Sequence, residues 1–136
     1  MRIMILDDMQ VRHDGFKVIL AGNDLFHTMN FSGAQRIMQD QHSKGQPIEM
    51  CCLDHDLADG DSEIVDTFKD YTGQTVAFNG EHFAFWLNKQ EFCPPQVLIH
   101  SWNESGAANM YNRLINNPRI QNLILRPYKP PPGFST

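Results

Sequence analysis

Asp7-Asp8, Asp54-His55-Asp56 and His100-Ser101-Trp102-Asn103 are the strings whose residue types can do chemistry, and each directly follows a short apolar run. Carboxylates gathered in one place repel one another. A hard divalent cation, Mg²⁺ or Mn²⁺, relieves that repulsion by taking one or two of them and keeping several waters. His55 and His100 widen the choice to softer metals such as Zn²⁺, and either imidazole can also carry a proton near neutral pH. Arg12 and Arg126 offer forked, charge-assisted bonds to phosphate oxygens, and Ser101 and Asn103 add neutral donors. Ser105-Gly106-Ala107 reads as a helix start with free N–H groups, where small residues let a phosphate approach. Metal ligands, an anion cradle and candidate bases together point to phosphoester chemistry.

For these strings to meet, the elements before them must end at one edge. Ile3–Leu6 reads as a strand buried on both faces, and Met9–Leu20 as a helix stopped by Gly22-Asn23. Leu25–Met29 is a second, weaker strand. Ser32 and Gln35 fit a capping box for a helix that ends near Ser43. Ile48–Leu53 is the third strand, Asn79–Gln90 a helix with a core stripe of Phe83, Trp86 and Leu87, and Val97–Ile99 the fourth strand. A helix from Ser105 through Met110 and Leu114 and a last strand at Leu123–Leu125 complete the chain. Residues 129–136 form a Pro-rich tail, extended or frayed, beyond a single domain at 1–128. Alternation of this kind calls for a parallel α/β sheet with helices on both faces, whose ligands bind beyond the carboxyl ends of the strands.

Each string also has a plainer reading. Asp8 can be the cap of the first helix, and Asn103 or Ser105 the cap of the last. Arg126 can simply neutralise the carboxylates. His13, His27, His42 and His82 lack polar company in the sequence and read as surface or satisfied residues. Asp54-His55-Asp56 resists this treatment, because burying two carboxylates around an imidazole costs stability without a functional return.

The balance of the chain narrows the partners. Its 136 residues carry a net charge of −5, with 16 acidic and 11 basic side chains and no basic stripe to follow a long duplex. Seven of the acids lie between Asp54 and Asp70, a solvated loop or a lid over the site. No apolar run is long enough to span a bilayer, and Cys51, Cys52 and Cys93 show no CxxC spacing. Buried reduced thiols in a cytoplasmic protein are the expectation.

Leu6-Asp7-Asp8, Leu53-Asp54, Ser101 and Arg126-Pro127 in this order resemble response-regulator receiver domains, whose acidic pair binds Mg²⁺ and whose later aspartate accepts a phosphoryl group. The resemblance implies a three-layer, flavodoxin-like fold with a five-stranded parallel sheet in the order 2-1-3-4-5. Arg126 stands where receivers carry lysine, and the Asp-His-Asp-Leu string is foreign to phosphorelay proteins. With Arg12, Asp54-His55-Asp56-Leu57, Tyr71-Thr72-Gly73, His100-Ser101-Trp102-Asn103, Gly106-Ala107 and Met110, the chain is more similar to the cyclic-phosphate-processing receivers of bacteria and phages. That resemblance implies action on a 2′,3′-cyclic RNA end or a small cyclic nucleotide in the cytosol of a bacterium or infected host, in the setting of RNA repair. Asp7, Asp8, Asp54 and Asp56 would hold the metal, and His55 or His100 would handle the proton. Arg12, Ser101, Asn103, Gly106 and Arg126 would take the phosphate. A module that binds a nucleotide or partner without turnover, and a phosphorelay receiver, are the alternatives.

Overall fold

A computed structural model describes residues 1–126. Five strands, β1 (Arg2–Leu6), β2 (Asp24–Thr28), β3 (Met50–Leu53), β6 (Gln96–Ile99) and β7 (Asn122–Leu125), form one sheet in the order β2-β1-β3-β6-β7. All of its pairings are parallel. This is the flavodoxin-like arrangement, with a short antiparallel hairpin, β4 (Thr67–Lys69) and β5 (Thr75–Ala77), inserted after β3. Four helices connect the strands: α1 (Gln10–Ile19), α2 (Phe31–Ser43), α3 (Gly80–Asn88) and α4 (Glu104–Leu114). None of them is long and apolar enough to cross a membrane. The Pro-rich tail, residues 129–136, lies outside the described residues.

Alternate strand residues face opposite ways, and the apolar runs use both faces. Met4, Leu6, Cys51, Leu53, Val97 and Ile99 pack with Met38, Phe83, Leu87, Met110 and Leu114 into the larger core under α2, α3 and α4. Ile3, Ile5 and Cys52 meet Phe16 of α1 and Leu20, its C-cap, on the other face. Neighbouring Cys51 and Cys52 thus point into different cores. Both are free thiols whose pKa burial pushes up, that of Cys52 to about 12. The aromatic stripe of α3 is core as expected, with Phe83 and Leu87 fully buried.

One local reading is corrected. The cap of α2 is Asn30, whose extended backbone lets its side chain accept from Gly33 N, so the Ser32–Gln35 box does not form. The Ser32 amide is drawn instead to Asp66 Oδ2, 2.7 Å away. The acidic stretch, largely exposed, carries the hairpin as well. Asp66 and Asp70 hold the hairpin, and Asp70 Oδ1 accepts from both Thr72 and Gln74. Phe68 and Phe78 anchor it on Phe31 and His82.

Register decides where the chemistry goes. Leu6, Leu53, Ile99 and Leu125 are mutually paired in one row at the carboxyl edge. The ladder then runs one residue further. Asp7 N donates to Thr28 O, Asp54 N to Leu6 O, His100 N to Leu53 O and Arg126 N to Ile99 O. The first polar residue after each strand is therefore held at a fixed position along that edge.

Candidate functional site

Asp7, Asp8 and Asp54 converge at this edge, each offering a carboxylate oxygen within 4.8 Å of the others, and all three are buried. Arg12 reaches down from α1 and places Nη1 3.2 Å from both Asp7 Oδ2 and Asp54 Oδ2. Its guanidinium also lies over the Trp102 ring, 5.0 Å from the centroid. His100 meets Asp7 Oδ2 through Nε2 at 2.7 Å and packs against Phe16.

The three carboxyl groups are not electrostatically alike. Burial pushes Asp7 up, but the His100 hydrogen bond and the charges of His100 and Arg12 outweigh it and hold Asp7 below its ordinary value. Burial raises Asp8. Burial together with the Asp7 charge drives Asp54 to about 8, against the opposing pull of Arg12 and a hydrogen bond from Ser101. At neutral pH Asp54 therefore holds its proton. A cluster that keeps a proton for want of positive charge is one that a divalent cation can enter by displacing that proton. Its donors are all carboxylate oxygens, which suits Mg²⁺ or Mn²⁺ better than Zn²⁺.

A cavity of about 290 Å³ opens beside the cluster, lined by Asp8, Met9, Arg12, Asp54, Asp56, Asp59, Ser101 and Trp102. Asp8 is not the cap of α1. That place falls to Met9, which has no side-chain cap bond. The Asp8 carboxylate instead accepts from Asp59 N at 3.0 Å. Asp61 N bonds to the Asp8 carbonyl, and Asp61 Oδ2 accepts from Gln10 N. Residues 59–61 are thus fastened onto the β1–α1 turn. Gly60 allows this close approach, since a Cβ there would fall 2.2 Å from the Asp8 carbonyl oxygen.

Asp56 stands apart from the three-carboxylate cluster. Its Oδ1 lies 2.7 Å from His55 Nδ1 and accepts from Asn103 Nδ2 at 3.2 Å, and its half-exposed side chain still faces the cavity. His55 lies behind it. Asn103 is also the cap of α4, accepting from Gly106 N at 2.9 Å, so the plainer reading holds for this residue. Gly106 is not open to a phosphate: its N–H is given to Asn103, and the His55 ring covers the face where a side chain would be. Ser105 is exposed and donates to Asn103. Arg126 is exposed at the end of edge strand β7 and does not line the cavity.

Gly106 thereby sets the pose of His55, because a Cβ there would lie 2.5–2.7 Å from the ring atoms. Gly106→Ala is expected to displace His55 from Asp56 and to lower stability by about 1–3 kcal/mol, the usual cost of overpacking. Thermal unfolding and the ¹H–¹⁵N spectrum of the His55 ring check this.

Sequence reasoning missed Met9, Asp59, Gly60 and His13. His13 is buried and hydrogen-bonds to the Asp7 carbonyl through Nε2 at 2.7 Å, and through Nδ1 to His27.

Solved structures similar to this one include response-regulator domains. NtrX from Brucella abortus aligns with a TM-score of 0.59 at 19% identity over 94% of this chain. The chain spans only 24% of that protein's length. The BeF3-activated N-terminal receiver domain of Klebsiella pneumoniae RstA gives 0.58 at 13% identity, covering 97% of this chain and 89% of that one. The N-terminal domain of a response regulator/sensory box/GGDEF 3-domain protein from Carboxydothermus hydrogenoformans gives 0.55 at 13%, with coverage of 92% and 81%. At such identities the likeness is one of fold. No relative is found among curated proteins. The sequence itself is more specific, since residues 2–116 match the cyclic-phosphate processing receiver domain, and the chain belongs to that family.

Proposed function

We propose that the protein is a metal-dependent phosphoesterase that opens a cyclic phosphate, carried on a 2′,3′-cyclic RNA end or a small cyclic nucleotide. The observation that supports this most is the buried Asp7–Asp8–Asp54 cluster, whose Asp54 is pushed to about 8, at the floor of a cavity sized for one nucleotide and not for a duplex. A bound Mg²⁺ or Mn²⁺ would be held by Asp7, Asp8 and Asp54 and would supply charge neutralisation for the phosphate. Arg12 and Ser101, both lining the cavity, are placed to orient phosphate oxygens. Asp56, held by His55 and Asn103, is placed to take a proton from an attacking water. His100, buried against Asp7, orients that carboxylate. Met9 and Trp102 give the cavity an apolar rim on which a sugar or base can rest. Free buried thiols fit work in a reducing cytosol, in the setting of bacterial or phage RNA repair.

A second reading, a module that holds the nucleotide unchanged, is favoured by Arg12. Its position between Asp7 and Asp54 already compensates part of the cluster's charge without a cation. Incubation with Mg²⁺ or Mn²⁺ and a panel of 2′,3′- and 3′,5′-cyclic nucleotides, followed by chromatography, separates the two. Metal-dependent conversion to a monoester is expected, at least a hundredfold weaker in Asp56→Ala. Ligand recovered intact in complex with the protein would replace the esterase with the binding module.

A further inference from the structure

Beside the β1–α1 turn, buried His13 and half-buried His27 form a second set of polar groups that lines no part of the carboxylate cavity. His13 of α1 is 1% exposed. Its Nε2 lies 2.7 Å from the Asp7 backbone oxygen, and its Nδ1 lies 2.7 Å from Nδ1 of His27 on β2. The rings meet edge to face with centroids 4.9 Å apart. A carbonyl oxygen can only accept, so Nε2 of His13 carries the proton. With both rings neutral, Nδ1 of His13 is then an acceptor and Nδ1 of His27 must donate to it. Burial, then the neighbouring His13 and Lys17, lowers the pKa of His27, against Asp14, and this favours the neutral ring. For two neutral rings the order is therefore His27 to His13 to the Asp7 carbonyl.

That carbonyl belongs to the residue whose side chain anchors the cluster. Asp7 is held on one side by His100 and Arg12 through its carboxylate and on the other by His13 through its backbone. Elsewhere the β1–α1 turn is held at its outer side, where residues 59–61 bond to Asp8 and Gln10, while Met9 gives α1 no side-chain cap and Asp7 Oδ1 accepts from Met9 N. We propose that His13 and His27 form a two-histidine strut that locks this turn and so sets the affinity of the Asp7–Asp8–Asp54 cluster for a divalent cation. The inference rests on the metal reading given above. His13 lines no part of the carboxylate cavity, only a separate one of about 300 Å³ that it shares with His27 and Lys17. Toward the cluster it is a positioning residue, and groups that orient metal ligands in this way typically change affinity by about 10–100-fold when removed.

The test is calorimetric titration of Mg²⁺ into the purified protein and three variants, with thermal unfolding of each. His13→Leu is expected to bind Mg²⁺ about tenfold or more weakly. His13→Gln, whose Nε2 can donate to the same carbonyl, is expected to stay within about threefold of the parent. His27→Leu is expected to fall between them. In the ¹⁵N spectrum of the metal-free protein, His13 should carry its proton on Nε2 and His27 on Nδ1. A His13→Leu protein that is folded and binds Mg²⁺ as the parent does would overturn the strut and leave the metal site standing. So would a His13 protonated on Nδ1 alone, a reading available even if His13→Leu fails to fold. A parent protein that binds no Mg²⁺ would instead remove the metal reading, and the strut's role with it.

Discussion

Asp54→Asn is expected to make the metal-free protein more stable at pH 7.5 to 8, although it removes a buried group at the centre of the site. The pKa of Asp54 is about 8 in the folded protein and near 3.8 when unfolded. The folded state therefore binds the extra proton. Its contribution is fully present below pH 3.8 and is lost as pH rises through 8. Each unit of difference is worth ~1.4 kcal/mol. Allowing about two effective units for so crowded a cluster, Asn at 54 relieves roughly 3 kcal/mol near pH 8, or about 6–12 °C in Tm. The parent should lose stability steadily between pH 5 and 8 without metal and recover it on adding Mg²⁺, which competes for the same oxygens. Asp54→Asn should show a shallower pH slope, left by Asp8, and little of the recovery. Differential scanning calorimetry over this range, with and without Mg²⁺, checks both.

Arg12→Leu is expected to act with the opposite sign. Its guanidinium is the positive charge within reach of both Asp7 and Asp54, with a side chain only 7% exposed. Removing one member of a buried ion pair leaves the others uncompensated and costs about 3–5 kcal/mol. The loss should be larger at pH 8 than at pH 5, because protonating Asp54 partly relieves it. Saturating Mg²⁺ should return part of the stability. Urea unfolding at the two pH values, with and without Mg²⁺, measures this. The double variant Asp54→Asn with Arg12→Leu should be less destabilised than the sum of the singles, since the two groups share one network.

Much of this site was legible because strand length and register leave little freedom. Once Ile3–Leu6, the run ending at Leu53 and Val97–Ile99 are strands of one parallel sheet, Asp7, Asp54 and His100 have to stand in a row at its edge. What lay beyond one residue of a strand end was not legible in the same way. Asp56 is only two residues from Asp54, yet the turn carries it to His55 and Asn103 and away from the cluster. Gly106 offered the small residue that a phosphate cradle needs, but smallness serves an imidazole ring equally well, and His55 took the space. The hairpin at Thr67–Lys69 and Thr75–Ala77 was hidden because each strand is three residues long, too short for alternation to show. Arg126 sits at the expected edge but on the outermost strand, exposed and outside the lining of the cavity. His13 was passed over because its partners, a backbone carbonyl and a histidine 14 residues away, have no signature in sequence spacing.

The central claim, that Asp7, Asp8 and Asp54 form one divalent-cation site, is tested most directly by electron paramagnetic resonance of Mn²⁺ titrated into the protein at pH 7.5. One Mn²⁺ per chain should leave the free-ion signal in the parent, and Asp54→Asn should return it. Mn²⁺ that stays free in the parent, or that binds equally well to Asp54→Asn, would contradict the claim.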